Sequence, residues 1–307
     1  MKLILTDNQK YCPSDLPDGY CLKRVDARSV KEYDGNADVE VILCSRTLAA
    51  SLKGIHLPSC RLVQLFSVGY DDIDLSYFKD KKIPFCNASG IYDNTLAEYV
   101  VYAMLMYAKR FHRSLKNRLF RLFRDYHYMT EIAGKTVGIL GCGRIGSAIA
   151  RRLSGFGVRV VGYAKTTTSK EGFDQIYNSG DIVTLFSESD YIVNVLPHDE
   201  STIGLIDDSL LKHCKQSMTF INIGRESVFY KDDFYQYLKR NKDVTAILDM
   251  FDILPNPITN KYRRLSNVLV MPRIAAISQE SGRRLSELLR DNVDACISGN
   301  DLKNRLV

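Results

Sequence analysis

The sequence predicts an α/β protein made of two doubly wound parallel-sheet domains, and three observations predict it. Short apolar runs alternate with longer amphipathic stretches almost from end to end. The connections between successive strands are of helix length, which implies parallel pairing, right-handed crossovers and sheets covered on both faces. The chain has 307 residues, enough for two domains at about 100–200 residues each.

The elements follow in order. Lys2–Thr6, Val39–Cys44 and Arg61–Leu65 read as strands bounded by polar or turn-forming residues. Asn94–Tyr107 reads as a helix, with Asn94 as N-cap and Ala97 and Glu98 in its first turn. Its nearly continuous apolar surface predicts burial on most sides, as at a domain boundary. From residue 136 the alternation is regular: strand Thr136–Leu140, helix Arg144–Leu153, then strands Val158–Tyr163, Tyr191–Leu196, Met218–Ile223, Val244–Leu248 and Val268–Met271. Leu285, Leu288, Leu289, Val293 and Ile297 recur at helical period within Gln279–Ile297. No repeat or low-complexity segment interrupts the series.

Composition narrows the class. Hydrophobic residues make up 45% and charged residues 25%, as in an ordinary globular protein. A net charge of +6 excludes an acidic disordered chain. All of that excess comes from Lys109–Arg124, with seven Lys/Arg, no Asp or Glu, and Phe111, Leu115, Leu119, Leu122 and Phe123 at near-helical spacing. A basic amphipathic helix is expected there, as a solvated face, a subunit contact or a polyanion site. No recognition motif accompanies it, so nucleic acid is not the expected partner. The eight cysteines are scattered with no C-x-x-C pair, so neither a metal nor a redox site is expected. The start has too short an apolar run for a signal peptide, and Val100–Ala108 is far short of the ~20 residues that span a bilayer. Thiols at this density then point to a cytoplasmic setting without a membrane.

The strand Thr136–Leu140 and the helix from Arg144 flank Gly141-Cys-Gly-Arg-Ile-Gly146, a G-x-G-x-x-G loop. The first glycine permits the tight turn, the second lets backbone approach a pyrophosphate, and the third lets helix pack on strand. The phosphates meet free N–H groups at the helix start, so a dinucleotide site is predicted. An acid at the end of the next strand would grip the ribose 2′-OH of NAD. That position is Ala164, followed by Lys165-Thr-Thr-Thr-Ser-Lys170. A cation and hydroxyls in place of the carboxylate suit a 2′-phosphate, so NADP is expected slightly ahead of NAD.

Further motifs stand in order: Ser67-Val-Gly-Tyr-Asp-Asp-Ile-Asp74, Leu96-Ala-Glu98, the loop within Gly134-Lys-Thr-Val-Gly-Ile-Leu-Gly141, Leu196-Pro197 with Thr202-Ile-Gly-Leu-Ile206, Asn222-Ile-Gly-Arg225, Leu248-Asp-Met-Phe251 and Met271-Pro272. Over most of its length the chain thereby resembles the D-isomer-specific 2-hydroxyacid dehydrogenase family. The resemblance implies a Rossmann dinucleotide-binding domain (99–275) inserted into a flavodoxin-like substrate domain (1–98 plus 276–307), a homodimer pairing through the basic region, and hydride transfer between a nicotinamide and a small anionic 2-keto or 2-hydroxy acid. It implies a cofactor set of Gly141, Gly143, Arg144, Ile145 and Gly146, with Lys165, then Leu196, Pro197 and Thr202, then Ile223 and Gly224, and Asp249 on the carboxamide. Val68 and Gly69 would offer N–H groups to the substrate carboxylate. Arg225 would hold the keto acid and polarise its carbonyl, for which a planar guanidinium is suited.

Two positions depart from the family. Its histidine after the proline is Arg273 here, and the glutamate that raises that histidine's pKa falls on Leu254. Arginine does not exchange protons near neutral pH, so a non-standard proton donor is expected. Arg273 then serves as a second anion ligand or an oxyanion stabiliser. His198, His127 and Asp252 are the candidate replacement acids. Arg46, with Arg225 and Arg273, would suit a doubly charged substrate. The alternative expectation is a catalytically inactive dinucleotide-binding sensor or partner protein.

Overall fold

The computed structural model describes residues 1–111, 129–249 and 261–307. His112, His127, Asp252, Leu254 and most of the basic stretch lie outside the described residues. By internal contacts the chain divides into Met1–Ile91 with Ile277–Val307, and Tyr92–Ala276.

In the first unit β1 (Lys2–Thr6), β2 (Tyr20–Arg24), β3 (Val39–Cys44), β4 (Leu62–Leu65) and β5 (Phe85–Cys86) pair in parallel in the order β2-β1-β3-β4-β5. That is the flavodoxin-like order. Helices α1 (Arg46–Ser51) and α2 (Leu75–Asp80) follow β3 and β4. Every residue of β3 and β4 is buried, which is why they read as continuous apolar runs. The C-terminal helix Gln279–Ser298 opens with a Ser278–Ser281 capping box. It is tied to β4 by the buried Asn292, whose Nδ2 donates to Gln64 Oε1 at 2.6 Å.

The second unit contains α3 (Asp93–Ala108), β6 (Thr136–Leu140), α4 (Arg144–Leu153), β7 (Arg159–Tyr163), β8 (Gln175–Tyr177), α5 (Ile182–Glu188), β9 (Tyr191–Asn194), α6 (Asp208–Leu211), β10 (Thr219–Asn222), α7 (Lys231–Arg240), β11 (Thr245–Leu248) and β12 (Val268–Val270). Its seven strands are parallel in the order β12-β11-β10-β9-β6-β7-β8. This is the doubly wound dinucleotide-binding order with one strand added, and its switch point lies between β6 and β9.

Three details correct the expectations. Helix α3 starts at Asp93 with Tyr92 as N-cap and no side-chain cap bond. Asn94 accepts instead from Arg152 at 2.9 Å. The expected domain boundary after residue 98 falls inside α3, which packs along α4 as one piece through Arg144–Asp93 (3.1 Å) and Arg152–Glu98 (3.3 Å). The expected basic helix does not begin at Lys109. There α3 has ended, and Arg110 takes a positive φ of 53° with its guanidinium over the Tyr107 ring.

Candidate active site

The glycine loop leaves β6 at the switch point, and each glycine has a steric reason. Gly141 holds φ 107°, in the region that excludes side chains, and a Cβ there would meet Val195 Cγ2 at 3.1 Å. At Gly146 a Cβ would fall 2.0 Å from the Gly141 carbonyl oxygen, so α4 rests directly on the loop. Gly143 is the extended N-cap of α4 without a side-chain cap bond, and a Cβ there would meet nothing within 4 Å. The loop therefore presents the first-turn N–H groups of Arg144, Ile145 and Gly146 behind a glycine open to an incoming anion. That cradle fits the pyrophosphate of a dinucleotide.

Two neighbouring loops meet it. The Val195 N–H donates to the Leu140 carbonyl at 3.0 Å, which places Leu196 and Pro197 beside Gly141. Asn194, fully buried at the end of β9, joins this loop to the next. Its Nδ2 donates to Asn222 Oδ1 at 2.7 Å and to the Arg225 carbonyl at 3.3 Å, while its Oδ1 accepts from the Leu196 N–H at 3.1 Å. Ile223 and Gly224 both donate N–H to the Asn194 carbonyl. A Cβ on Gly224 would meet Asn194 Nδ2 at 2.9 Å and the Leu196 oxygen at 3.0 Å. Arg225 is thus carried on a rigid platform. His198 follows Pro197, and its Nδ1 lies 2.8 Å from the hydroxyl of Ser227, two residues beyond Arg225. Thr202 is buried and spans its own turn, donating to the Pro197 carbonyl at 2.7 Å. In this structure it braces the loop.

Asp249, at the end of β11, is buried. Its Oδ1 accepts the Ile274 N–H at 2.9 Å and its Oδ2 accepts the Ala275 N–H at 3.1 Å. Burial raises its pKa, against those two N–H groups and the Arg273 charge, which lower it. The turn that it holds carries Arg273 at a positive φ of 58°, an uncommon conformation for a residue other than glycine.

Beyond β7, Ala164 is half-buried and Lys165 is exposed, its ammonium 3.7 Å from Asp199. Lys170 reaches back to donate to the Cys142 carbonyl inside the glycine loop. Its position in a polar surface loop gave no sign of that contact. In the other unit, Asn87 donates to the Val68 carbonyl (2.9 Å) and Ser67 to the Gly69 carbonyl (3.0 Å), which fixes the loop after β4. Arg46 is held by Asp71 (3.7 Å) and Asp72 (3.5 Å) of that same segment. Among the described residues no group of three His, Cys, Asp or Glu could hold a metal, and no helix is long and apolar enough to cross a membrane.

Sequence reasoning gave no role to Asn194, Asn222 or Ser227, and quoted Lys170 only as the end of the run after Ala164. A faint signal existed for the first two, each an asparagine closing an apolar strand, in Tyr191–Asn194 and Thr219–Asn222. Buried amides need partners.

A doubly wound sheet with a three-glycine phosphate cradle at its switch point, flanked by a held arginine, defines a dinucleotide-dependent α/β oxidoreductase. Residues 100–275 match the model of the D-isomer specific 2-hydroxyacid dehydrogenase, NAD binding domain. The chain is 30% identical over 248 residues to glyoxylate reductase from Korarchaeum cryptofilum, covering 78% of this chain and 73% of that protein. It is 27% identical to glyoxylate/hydroxypyruvate reductase B from an Enterobacter species, covering 92% and 89%. The solved NADPH-dependent glyoxylate/hydroxypyruvate reductase from Sinorhizobium meliloti has a TM-score of 0.82 at 25% identity, over 100% of this chain and 97% of that one. The chain belongs to the D-isomer specific 2-hydroxyacid dehydrogenase family, NAD(P)-dependent oxidoreductases acting on the CH–OH group of 2-hydroxy acids.

Proposed function

We propose that this protein reduces a small 2-keto acid of the glyoxylate or hydroxypyruvate class, using NADPH ahead of NADH. The observation that carries the reading is the meeting of three loops in one unit: the glycine cradle, the Leu196–Pro197 loop and the platform that presents Arg225. Arg225 clamps the keto-acid carboxylate and polarises the carbonyl. In the other unit Val68 and Gly69, whose carbonyls are already taken, keep N–H groups for an anion. The NADPH preference rests on Lys165 and Lys170, two cations around the loop after β7 that suit a 2′-phosphate.

When bound, the nicotinamide supplies the hydride. Arg273 stands where the family's histidine is expected. It cannot deliver a proton, and it stabilises the charge that develops on the substrate oxygen. His198, tied to Ser227 beside Arg225, is the proton donor in this reading, with Nε2 as the atom that gives up the proton. The protein works as a homodimer, and its eight free cysteines fit a reducing cytoplasm.

The test is a panel of 2-keto acids, with glyoxylate and hydroxypyruvate first, assayed by absorbance with NADH and with NADPH beside direct cofactor binding. Turnover is expected with NADPH exceeding NADH. His198→Gln is expected to lower kcat and remove one limb of the pH profile. Cofactor binding without turnover on any acid, unchanged by Arg273→His with Leu254→Glu, would sink the enzyme reading in favour of a dinucleotide-responsive sensor. Light scattering checks the dimer.

A further inference from the structure

Lys165 and Asp199 pair beside the glycine loop, and Asp199 has no part in the function proposed above. Lys165 follows β7, and Asp199 lies in the loop after β9. In the strand order β9-β6-β7 the strand between them is β6, whose end carries the glycine loop. The three strands are parallel, so their loops leave the same edge of the sheet. The 3.7 Å ion pair therefore reaches from one flank of the glycine loop to the other. A second contact sets Asp199 over the β7 side. Burial, and behind it the Asp199 charge, raise the pKa of Tyr163, the last residue of β7. The pair is open to a ligand, with the Lys165 side chain 75% exposed and that of Asp199 40%. The two carboxylate oxygens have separate work. Oδ1 accepts the Ser201 N–H at 2.8 Å and the Ser201 hydroxyl at 2.5 Å, and Oδ2 faces Lys165.

An anion that takes Lys165 stands within about 7 Å of the Asp199 carboxylate, inside the Debye length of about 8 Å at physiological ionic strength. The 2′-phosphate of NADP is such an anion. The 2′-hydroxyl of NAD carries no charge and leaves the pair as it stands. We propose that Asp199 is a specificity-determining residue that competes with the 2′-phosphate for Lys165. It acts against NADPH twice, by occupying the ammonium beforehand and by repelling the phosphate once that has bound. NADH meets neither effect, so Asp199 narrows the preference that the lysines create. The inference rests on the reading of Lys165 as a 2′-phosphate ligand.

The experiment titrates NADPH and NADH, read from the cofactor's own emission, into wild type, Asp199→Asn, Glu200→Gln, Lys165→Met and the Lys165→Met/Asp199→Asn double variant. Each is measured at low and at high ionic strength. Asparagine keeps an Oδ1 acceptor for Ser201, so the turn survives while the charge is removed. Asp199→Asn is expected to tighten NADPH by about two- to fivefold, the worth of an exposed ion pair, and to leave NADH unchanged. The gain is expected to shrink at high ionic strength. It is also expected to shrink in the Lys165→Met background, where there is no ammonium left to compete for. Glu200→Gln, at the exposed neighbour, changes the net charge equally and is expected to give less. The proposal is overturned if Asp199→Asn leaves the ratio of NADPH to NADH affinity unchanged or lowers it. It is also overturned if Glu200→Gln matches it, or if the gain persists in full without Lys165 or at high ionic strength. Lys165→Met with the wild-type ratio would remove the Lys165 reading and this inference with it. A lowered ratio in Lys165→Met beside an unchanged one in Asp199→Asn would remove Asp199 alone.

Discussion

Alanine at the two last glycines of the loop should separate a fold role from a ligand role. At Gly146 the added Cβ would lie 2.0 Å from the Gly141 carbonyl oxygen, where ordinary contact begins at 3.4 Å. The obstacle is backbone, so α4 itself must retreat by about 1.4 Å to restore ordinary contact, and overpacking of this kind costs about 1–3 kcal/mol. In a unit of this size that corresponds to roughly 2–12 °C in Tm. The retreat also moves the first-turn N–H groups away from the pyrophosphate. Losing one hydrogen bond to a charged group weakens cofactor binding by about ten- to a hundredfold. At Gly143 a Cβ meets nothing within 4 Å and φ is −79°, which alanine adopts freely. Alanine is a poorer N-cap, but it lowers the entropy of the unfolded chain by a similar amount, so Tm should stay within about 2 °C. Its methyl nevertheless occupies the approach to the backbone, and cofactor binding should be lost. The assay is a thermal melt beside a titration read from the cofactor's own emission, because the chain has no Trp to transfer energy from. A wild-type Tm in Gly146→Ala, or equal melting losses in both variants, would refute the division of roles.

Other outcomes follow from the same geometry. Arg225→Gln should raise the keto-acid KM by about a hundredfold or more while leaving cofactor Kd unchanged, since only the substrate clamp is removed; a shifted Kd would place Arg225 on the cofactor. Asn194→Ala strips partners from Asn222, Leu196 and the Arg225 carbonyl at a fully buried position. It should cost about 1–3 kcal/mol in a urea melt and lower turnover with it. Asp249 has its pKa raised by burial, so the folded state holds that proton more tightly than the unfolded one. Its ionisation therefore costs stability as pH climbs from about 4 through the raised value, and the cost is complete above it. The Tm difference between Asp249→Asn and wild type should move in the variant's favour over that window; a difference constant with pH would contradict the burial account. Lys170→Glu should weaken NADPH more than NADH, and equal weakening would remove Lys170 from 2′-phosphate recognition.

Strand and helix limits were most legible where the chain is buried on both faces. β1, β3, β6 and α4 have the bounds read from the sequence, because apolar runs there end at polar residues or glycine. The reading overran β9, β10 and β12 because Val195, Leu196, Ile223 and Met271 lie past the strand ends and still pack on the core. It missed β2, β5 and β8. β2 is a half-exposed edge strand ending in Lys23-Arg24, β5 has two residues and β8 three. None offers the window over which a period shows.

The glycine roles were equally legible, since a backbone conformation or a close approach is specified within the six residues of the loop. The sequence by itself determined the two parallel sheets and the dinucleotide cradle. These follow from local periodicity and from residue types that leave the backbone few choices. Tertiary structure alone decided that Asn194 builds the Arg225 platform, that Lys170 reaches Cys142, and that Asp249 accepts from the turn 25 and 26 residues away. Hydrogen-bond partners and burial belong to segments distant in the chain, and they exist only once the hydrophobic cores have brought those segments together.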